Sequence, residues 1–425
     1  MIVTLKAKLF NTEEKQRLLS NILSLGVLQG ANYLLPLLTL PYLVRVLGPE
    51  YFGLLAFVGA TIAYLSLITD YGFNLSATRQ ISIHRNNQAR ISDIFCSVMI
   101  IKVALMLVSF LLMALLVFSV ETFRQYWQVY FVTFGAVIGQ VLFPVWFFQG
   151  MEKMKYITYL NLMSKTFFTL SVFIFVQEKT DYIWVPILTS TGYIAAGIGS
   201  LYIIKKEFFI DFKWQNWQLI KYQLIDGWHV FFSSIAISLY TVTTIFIVGL
   251  FVNSMAVGYF SAADKIIQAL KGLYTPVSQA IYPLIGKKMH ENRLEGLAFV
   301  RKVMCIVGSV MFFVSLIVFF YAEQIVGLLL GEQYMQSVVL LKIMAFLPFV
   351  ICISNFLGVQ FMLNIGLKKE FSVIVLLMAI FGMLNSVFFI SIFKEGGAAF
   401  ALLITEILVT VLFLIIVRKR WKDVG

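Results

Sequence analysis

The chain has 425 residues, of which 60% are hydrophobic and 13% charged, and its formal net charge is +12. Charge at about half the soluble norm, with raised apolar content, excludes both disorder and the three or so soluble domains that length alone suggests. What is left is a polytopic membrane protein, in which surplus lysine and arginine reflect topology rather than nucleic-acid binding.

The first twenty residues carry Lys6, Lys8, Glu13, Glu14, Lys15 and Arg17, and the apolar run that follows is too long for a cleavable signal. Twelve mostly apolar segments then succeed one another, at 20–43, 52–74, 93–118, 126–148, 157–176, 183–204, 228–250, 257–283, 298–320, 338–363, 371–393 and 398–417. Each is near the ~20 residues that a spanning helix needs, and such long runs exclude a transmembrane barrel. The longest connection, 205–227, sets Phe208, Phe209, Phe212, Trp214 and Trp217 among Lys and Asp, which predicts an amphipathic cytoplasmic linker with an interfacial helix. It divides an N-terminal lobe, 1–204, from a C-terminal lobe, 228–425.

Of the 33 basic residues, 22 fall in alternate connections, counting from the N-terminus, and only Arg124, Lys179 and Lys394 fall in the others. The asymmetry predicts cytoplasmic N- and C-termini and an even number of spans. Eight more (Arg45, Lys102, Lys165, Lys265, Lys271, Arg301, Lys302 and Lys342) lie in or near the spans. Trp127, Trp146, Trp184 and Trp228 fall at predicted helix ends, as interfacial indoles do.

The halves echo each other at an offset near 208. Glu50-Tyr51-Phe52-Gly53 matches Gly258-Tyr259-Phe260-Ser261, Cys96 matches Cys305, and the 75–92 connection matches 284–297. A duplicated six-helix unit keeps its orientation across the repeat. The predicted fold is therefore all-α, with about twelve transmembrane helices in two pseudo-symmetric six-helix bundles around a central cavity.

A charge inside a span is costly and usually faces a bundle interior or water. Lys102, Lys165, Asp264, Lys265, Lys271 and Glu406 lie about eight or more residues from a span end, too deep for easy snorkelling. In the eighth span Ser261, Asp264, Gln268, Lys271, Thr275, Ser278 and Tyr282 recur in alternating steps of three and four, so all share one helical face. Thr158, Asn161, Lys165 and Thr169 form a shorter stripe in the fifth span, and Ser234, Ser238 and Thr241 another in the seventh. Ser and Thr also serve interhelical hydrogen bonds. The Asp264, Gln268 and Lys271 group points instead to a hydrated cavity. The candidate substrate-cavity residues are Lys102, Lys165, Asp264, Lys265, Gln268 and Lys271, and the lysine excess suits an anionic passenger. Asp70, Asp264 and Glu406 either balance those lysines or carry protons, since low dielectric favours a neutral carboxyl group. Pro36, Pro144, Pro276 and Pro348 fall within spans and predict kinks.

Cys96, Cys305 and Cys352 lie in apolar runs without disulfide or metal-ligand spacing, and His84, His229 and His290 are far apart. No nucleophile elbow, phosphate loop or zinc motif occurs. Neither enzyme activity nor a cofactor is expected.

Three stretches resemble polysaccharide-export flippases of the O-antigen (Wzx) type. They are Val46-Leu47-Gly48-Pro49-Glu50-Tyr51-Phe52-Gly53, then Asp70-Tyr71-Gly72-Phe73-Asn74 with Ser76-Ala77-Thr78-Arg79, and most specifically Phe143-Pro144-Val145-Trp146-Phe147-Phe148-Gln149-Gly150-Met151-Glu152-Lys153-Met154. The motifs concentrate in the first 160 residues, while the second half matches by pattern. The resemblance implies a member of the multidrug/oligosaccharidyl-lipid/polysaccharide exporter superfamily in the bacterial inner membrane. It implies transfer of an undecaprenyl-pyrophosphate-linked O-antigen repeat, for lipopolysaccharide biosynthesis, from the cytoplasmic to the periplasmic leaflet. The partners it implies are that lipid-linked oligosaccharide, the membrane, a coupling ion (H+ or Na+), and polysaccharide polymerase and chain-length proteins; no nucleic acid is expected. The alternatives are a flippase for another lipid-linked precursor and a drug/cation antiporter of the same fold. A membrane polymerase would need a long outer loop with catalytic residues, and the outer connections are short.

Overall fold

A computed structural model describes residues 13–241 and 243–422, and all described regular structure is helical. Helices occupy all twelve predicted segments. Among the described residues, eight helical stretches are long and apolar enough to cross a membrane, and some of these are broken internally, as at Gly48, Pro144 and Lys394.

The first helix, α1, runs Glu13–Asp70 and breaks at Gly48, with φ 71° and ψ 173°. Glycine takes that conformation without a Cβ penalty, and Pro49 opens the next helix where no N–H is needed. Tyr71 and Gly72, with φ of 45° and 75°, end α1. A Cβ on Gly72 would lie 2.7 Å from the Val230 side chain, so turn and packing both require glycine there. Next come α2 (Phe73–Ile83), α3 (Gln88–Ser119), α4 (Glu121–Arg124), α5 (Trp127–Leu142) and α6 (Val145–Gly150). Asn87 caps α3 by accepting from the Arg90 backbone N–H at 3.1 Å. The fourth predicted segment is thus two helices, because Pro144 has no N–H to continue α5.

Then follow α7 (Met154–Phe175), α8 (Trp184–Phe208), α9 (Trp217–Thr241) and α10 (Thr243–Phe251). Left-handed Phe209 (φ 53°) ends α8, and residues 209–216 are not helical. The interfacial helix expected across this aromatic stretch therefore starts only at Trp217. The remaining helices are α11 (Ser254–Glu291), α12 (Arg293–Phe320), α13 (Ala322–Leu329), α14 (Ser337–Met344), α15 (Leu347–Asn355) with a π-helical extension Phe356–Met362, and α16 (Lys368–Lys422). Lys394, at φ 53°, breaks α16 into two. Pro348 stands at the start of α15, whereas Pro36 and Pro276 lie within continuous helices, as membrane helices tolerate. Lys6 and Lys8, and the side chains of Lys15, Arg17, Ser234, Ser238, Thr241 and Trp421, lie outside the described residues.

The chain divides into two compact units. The first holds the described residues up to Tyr42 together with Thr61–Ile235; the second holds Leu43–Ala60 and the described residues from Ala236. In the first unit α5 and α8 pack with little between their backbones. A Cβ on Gly139 would lie 2.4 Å from the Tyr193 carbonyl carbon, and Ser190 and Ser200 donate to the Val132 and Leu142 carbonyls at 2.7 and 3.0 Å. Small residues and hydroxyls at the contact are how membrane helices associate without a hydrophobic drive. Trp146, Phe147 and Phe148 are fully buried among Phe95 and Phe208. Trp146 is thus a core residue, not an interfacial indole, and the Phe143–Met154 stretch is a packing motif. Its Gly150 sits where a Cβ would lie 2.6 Å from Ile81. In the second unit Phe371 stacks on Phe413 with centroids 5.5 Å apart, over Gly358.

Candidate functional site

Asp70 closes α1, and its Oδ1 accepts a hydrogen bond of 2.8 Å from Asn74 Nδ2. The same oxygen lies 3.7 Å from Lys102 Nζ. The Lys102 side chain, halfway along α3, is 6% exposed, that of Asp70 32%. So deeply buried a cation requires a partner, and this pair forms part of the wall of a 420 Å³ cavity that Thr69, Gln140, Asn161 and Tyr193 also line. A second cavity, of 190 Å³, is lined by Pro36, Thr39, Ser164, Lys165, Thr169 and Tyr193. Tyr193 lines both. Lys165 donates to Asn32 Oδ1. Asn32 is neutral, so this contact satisfies a donor of Lys165 without cancelling its charge. Of the two cavity lysines, Lys102 is therefore paired with a carboxylate and Lys165 with a neutral amide.

The stripe on α7 divides by depth. Asn161 reaches the first cavity, and Lys165 and Thr169 reach the second. Thr158 donates to the Ser24 carbonyl at 2.9 Å and so ties helices together.

The other predicted residues belong to the second unit. On α11 Asp264 and Lys271 are half-buried, and Lys265 and Gln268 exposed. Asp264, Gln268 and Lys271 succeed one another along one side of α11, and Lys265 is the next residue after Asp264. One carboxylate against two ammonium groups leaves this stretch of α11 net positive. Further along α11, Ser278 donates to Asn355 Oδ1 at 2.6 Å and accepts from Gln360 Nε2 at 2.9 Å, so that end of the stripe serves packing. Glu406 lies half-buried on α16, one turn before Thr410, whose hydroxyl donates to the Glu406 carbonyl at 2.8 Å. Among the described residues, no group of three or more His, Cys, Asp or Glu is placed to hold a metal ion.

Residues 18–290 match the family model described as polysaccharide biosynthesis protein. A protein of Escherichia coli K12 described as "Putative O-antigen transporter" is 37% identical over 96% of this chain and 98% of its own length. A Shigella dysenteriae protein of the same description is 31% identical over 93% of this chain and 98% of its own length. The chain belongs to the polysaccharide biosynthesis protein family. Its fold is shared with solved transporter structures. An inward-facing multidrug MATE transporter matches this family member with a TM-score of 0.73 at 12% identity, covering 92% of this chain and 95% of that one. The inward closed lipid II flippase MurJ matches with 0.68 at 13% identity, over 92% and 87%.

Sequence reasoning on this family member misses the lining residues Gln140 and Tyr193, and Asn32, the partner of Lys165. Each lies on a largely apolar helix whose few polar residues form no long stripe, so no periodicity singles it out.

Proposed function

We propose that the chain is a flippase that carries undecaprenyl-pyrophosphate-linked O-antigen, or other surface polysaccharide, repeat units from the cytoplasmic to the periplasmic leaflet by alternating access. Family membership and the descriptions of its full-length relatives support this reading. The observation that carries it is Lys165: a half-buried ammonium in a cavity, hydrogen-bonded to a neutral amide, available to a diphosphate. Lys271 and Lys265 add charge on α11, while Asp70 and Asp264 balance neighbouring lysines or, with Glu406, exchange protons. A coupling ion, H+ or Na+, belongs to the same proposal, as do polysaccharide polymerase and chain-length proteins as partners. The protein would sit in the bacterial inner membrane with both termini cytoplasmic, as the basic connections predict, with lobes 1–204 and 228–425 joined by 205–227. Lysine is a compact point charge that attracts phosphate without fixed geometry, which suits a passenger that must leave again. An antiporter of cationic drugs would need the opposite cavity charge.

The test is complementation. A strain lacking its own repeat-unit flippase, given this chain, should regain surface polysaccharide. No recovery with the protein at normal level in the membrane would overturn the reading, and rescue instead of a strain lacking its lipid II flippase would reassign the passenger.

A further inference from the structure

The two halves present the same helix face in opposite states. Asn87 caps α3 and Asn292 caps α12; nine residues past the caps stand Cys96 and Arg301, and Cys305, the sequence match of Cys96, lies one turn beyond Arg301 on the same face. Around Cys96 the face is covered. Its sulfur accepts from the Lys213 N–H at 3.4 Å and approaches the Asp211 carbonyl at 3.7 Å, and Gln88 Nε2 donates to the Phe208 carbonyl. The segment that follows α8 therefore lies across α3. On α12 no described residue covers the corresponding face. It opens instead as a groove of 310 Å³ lined by Leu294, Leu297, Ala298, Arg301, Lys302 and Cys305.

The chemistry of that groove is specific. Arg301 and Lys302 are both exposed, and among the described residues neither has a carboxylate at ion-pair distance. They stand within the first turn or so of the apolar segment predicted at 298–320, next to the basic 284–297 connection. Beyond Cys305 the same side of α12 continues as exposed Ile306, Val310, Phe313, Ile317 and Phe320. These recur at steps of four and three, a stripe suited to lipid chains. Two cations at the head of an apolar stripe complement a molecule with an anionic head and a hydrocarbon tail. Guanidinium binds a phosphate in a bidentate fork, and ammonium adds a second charge.

We propose that the α12 groove is a binding site for an anionic phospholipid, with the phosphate between Arg301 and Lys302 and an acyl chain along Cys305 to Phe320. The site takes the place that chain segment 208–213 occupies in the first unit. Basic pockets at a helix surface near the cytoplasmic headgroups commonly select such lipids.

Native mass spectrometry of the full chain, titrated in detergent with phosphatidylglycerol or phosphatidylethanolamine, tests it. The wild type should retain phosphatidylglycerol in preference to phosphatidylethanolamine, and Arg301→Gln/Lys302→Gln should weaken that retention by about tenfold or more, the order expected for removing two charges near an anionic surface. Because both residues are exposed, the variant should fold. A monodisperse elution profile and continued protection of buried Cys96 and Cys352 from thiol labelling check this independently. Equal retention of both lipids by the wild type, or undiminished phosphatidylglycerol binding by the folded variant, would overturn the proposal. So would a loss confined to added polyprenyl diphosphate, which would make the groove a passenger site.

Discussion

Lys102 Nζ lies 3.7 Å from Asp70 Oδ1, joining the middle of α3 to the end of α1 across a cavity wall. Asp70→Ala leaves the Lys102 ammonium buried without a carboxylate. Breaking a buried pair from one side typically costs about 3–5 kcal/mol, and the partial exposure of Asp70 puts this one at the lower end. Adding Lys102→Met to Asp70→Ala removes the stranded charge and should restore most of the lost stability. Thermal unfolding of the two single variants and the double variant in detergent measures the coupling; strictly additive losses would show that the two groups do not act as a pair.

Lys165 behaves differently because its partner is Asn32. Lys165→Gln keeps a donor for Asn32 and leaves no opposite charge stranded, so stability should change by less than about 1 kcal/mol. Surface polysaccharide in the complementation assay should nevertheless fall at least tenfold at matched protein level, and Lys165→Arg, which keeps the charge, should recover part of it. Full export by Lys165→Gln would remove Lys165 from the passenger's path.

A third prediction concerns the start of α9. Asp226 accepts from Arg79 Nη2 and Gln80 Nε2, both at 2.7 Å, and Gln223 Nε2 donates to Gln80 Oε1 at 2.8 Å. Arg79 is 64% exposed, so Arg79→Ala should cost no more than about 1 kcal/mol. Asp226→Ala leaves the buried Gln80 amide without its acceptor and should cost about 1–3 kcal/mol. Denaturation midpoints rank the two, and the reverse order would place the energy in the ion pair instead of the buried amide.

What was legible in the sequence follows from which forces leave a periodic trace. Thr158, Asn161, Lys165 and Thr169 share a face at 3.6-residue spacing, and three of the four line cavities. Lys102 stood out because a lysine is costly inside an apolar run. Asp70 stands out too, as an acid near a span end that could balance a lysine, but its pairing with Lys102 does not, since the two are 32 residues apart on different helices and no pattern couples them. Asn32 and Tyr193 are silent for the same reason. Trp146 misled because an indole near a predicted helix end reads alike whether it faces headgroups or a core. Pro144 marked its break plainly, but sequence alone does not separate a kink within one span from two helices.

The last prediction tests the meeting of the two echoed motifs. Gly53, from Glu50-Tyr51-Phe52-Gly53, packs against the opening of α11 at Gly258-Tyr259-Phe260-Ser261. A Cβ on Gly53 would lie 1.8 Å from the Ser254 carbonyl oxygen and 2.4 Å from the Gly258 nitrogen, and one on Gly258 would lie 1.9 Å from the Pro49 carbonyl oxygen. The obstructing atoms are backbone, so no side chain can turn aside. Gly53→Ala should therefore reach or exceed the upper end of the usual overpacking cost of about 1–3 kcal/mol. Gly59, two turns further along α1, has nothing within 4 Å of its built Cβ. Gly59→Ala should gain about 0.5–1 kcal/mol, because alanine loses less backbone freedom in a helix. Melting temperatures of the two variants in the same detergent should move in opposite directions. Equal shifts would mean that the helices separate at little cost, and that the matching glycines do not hold the crossing together.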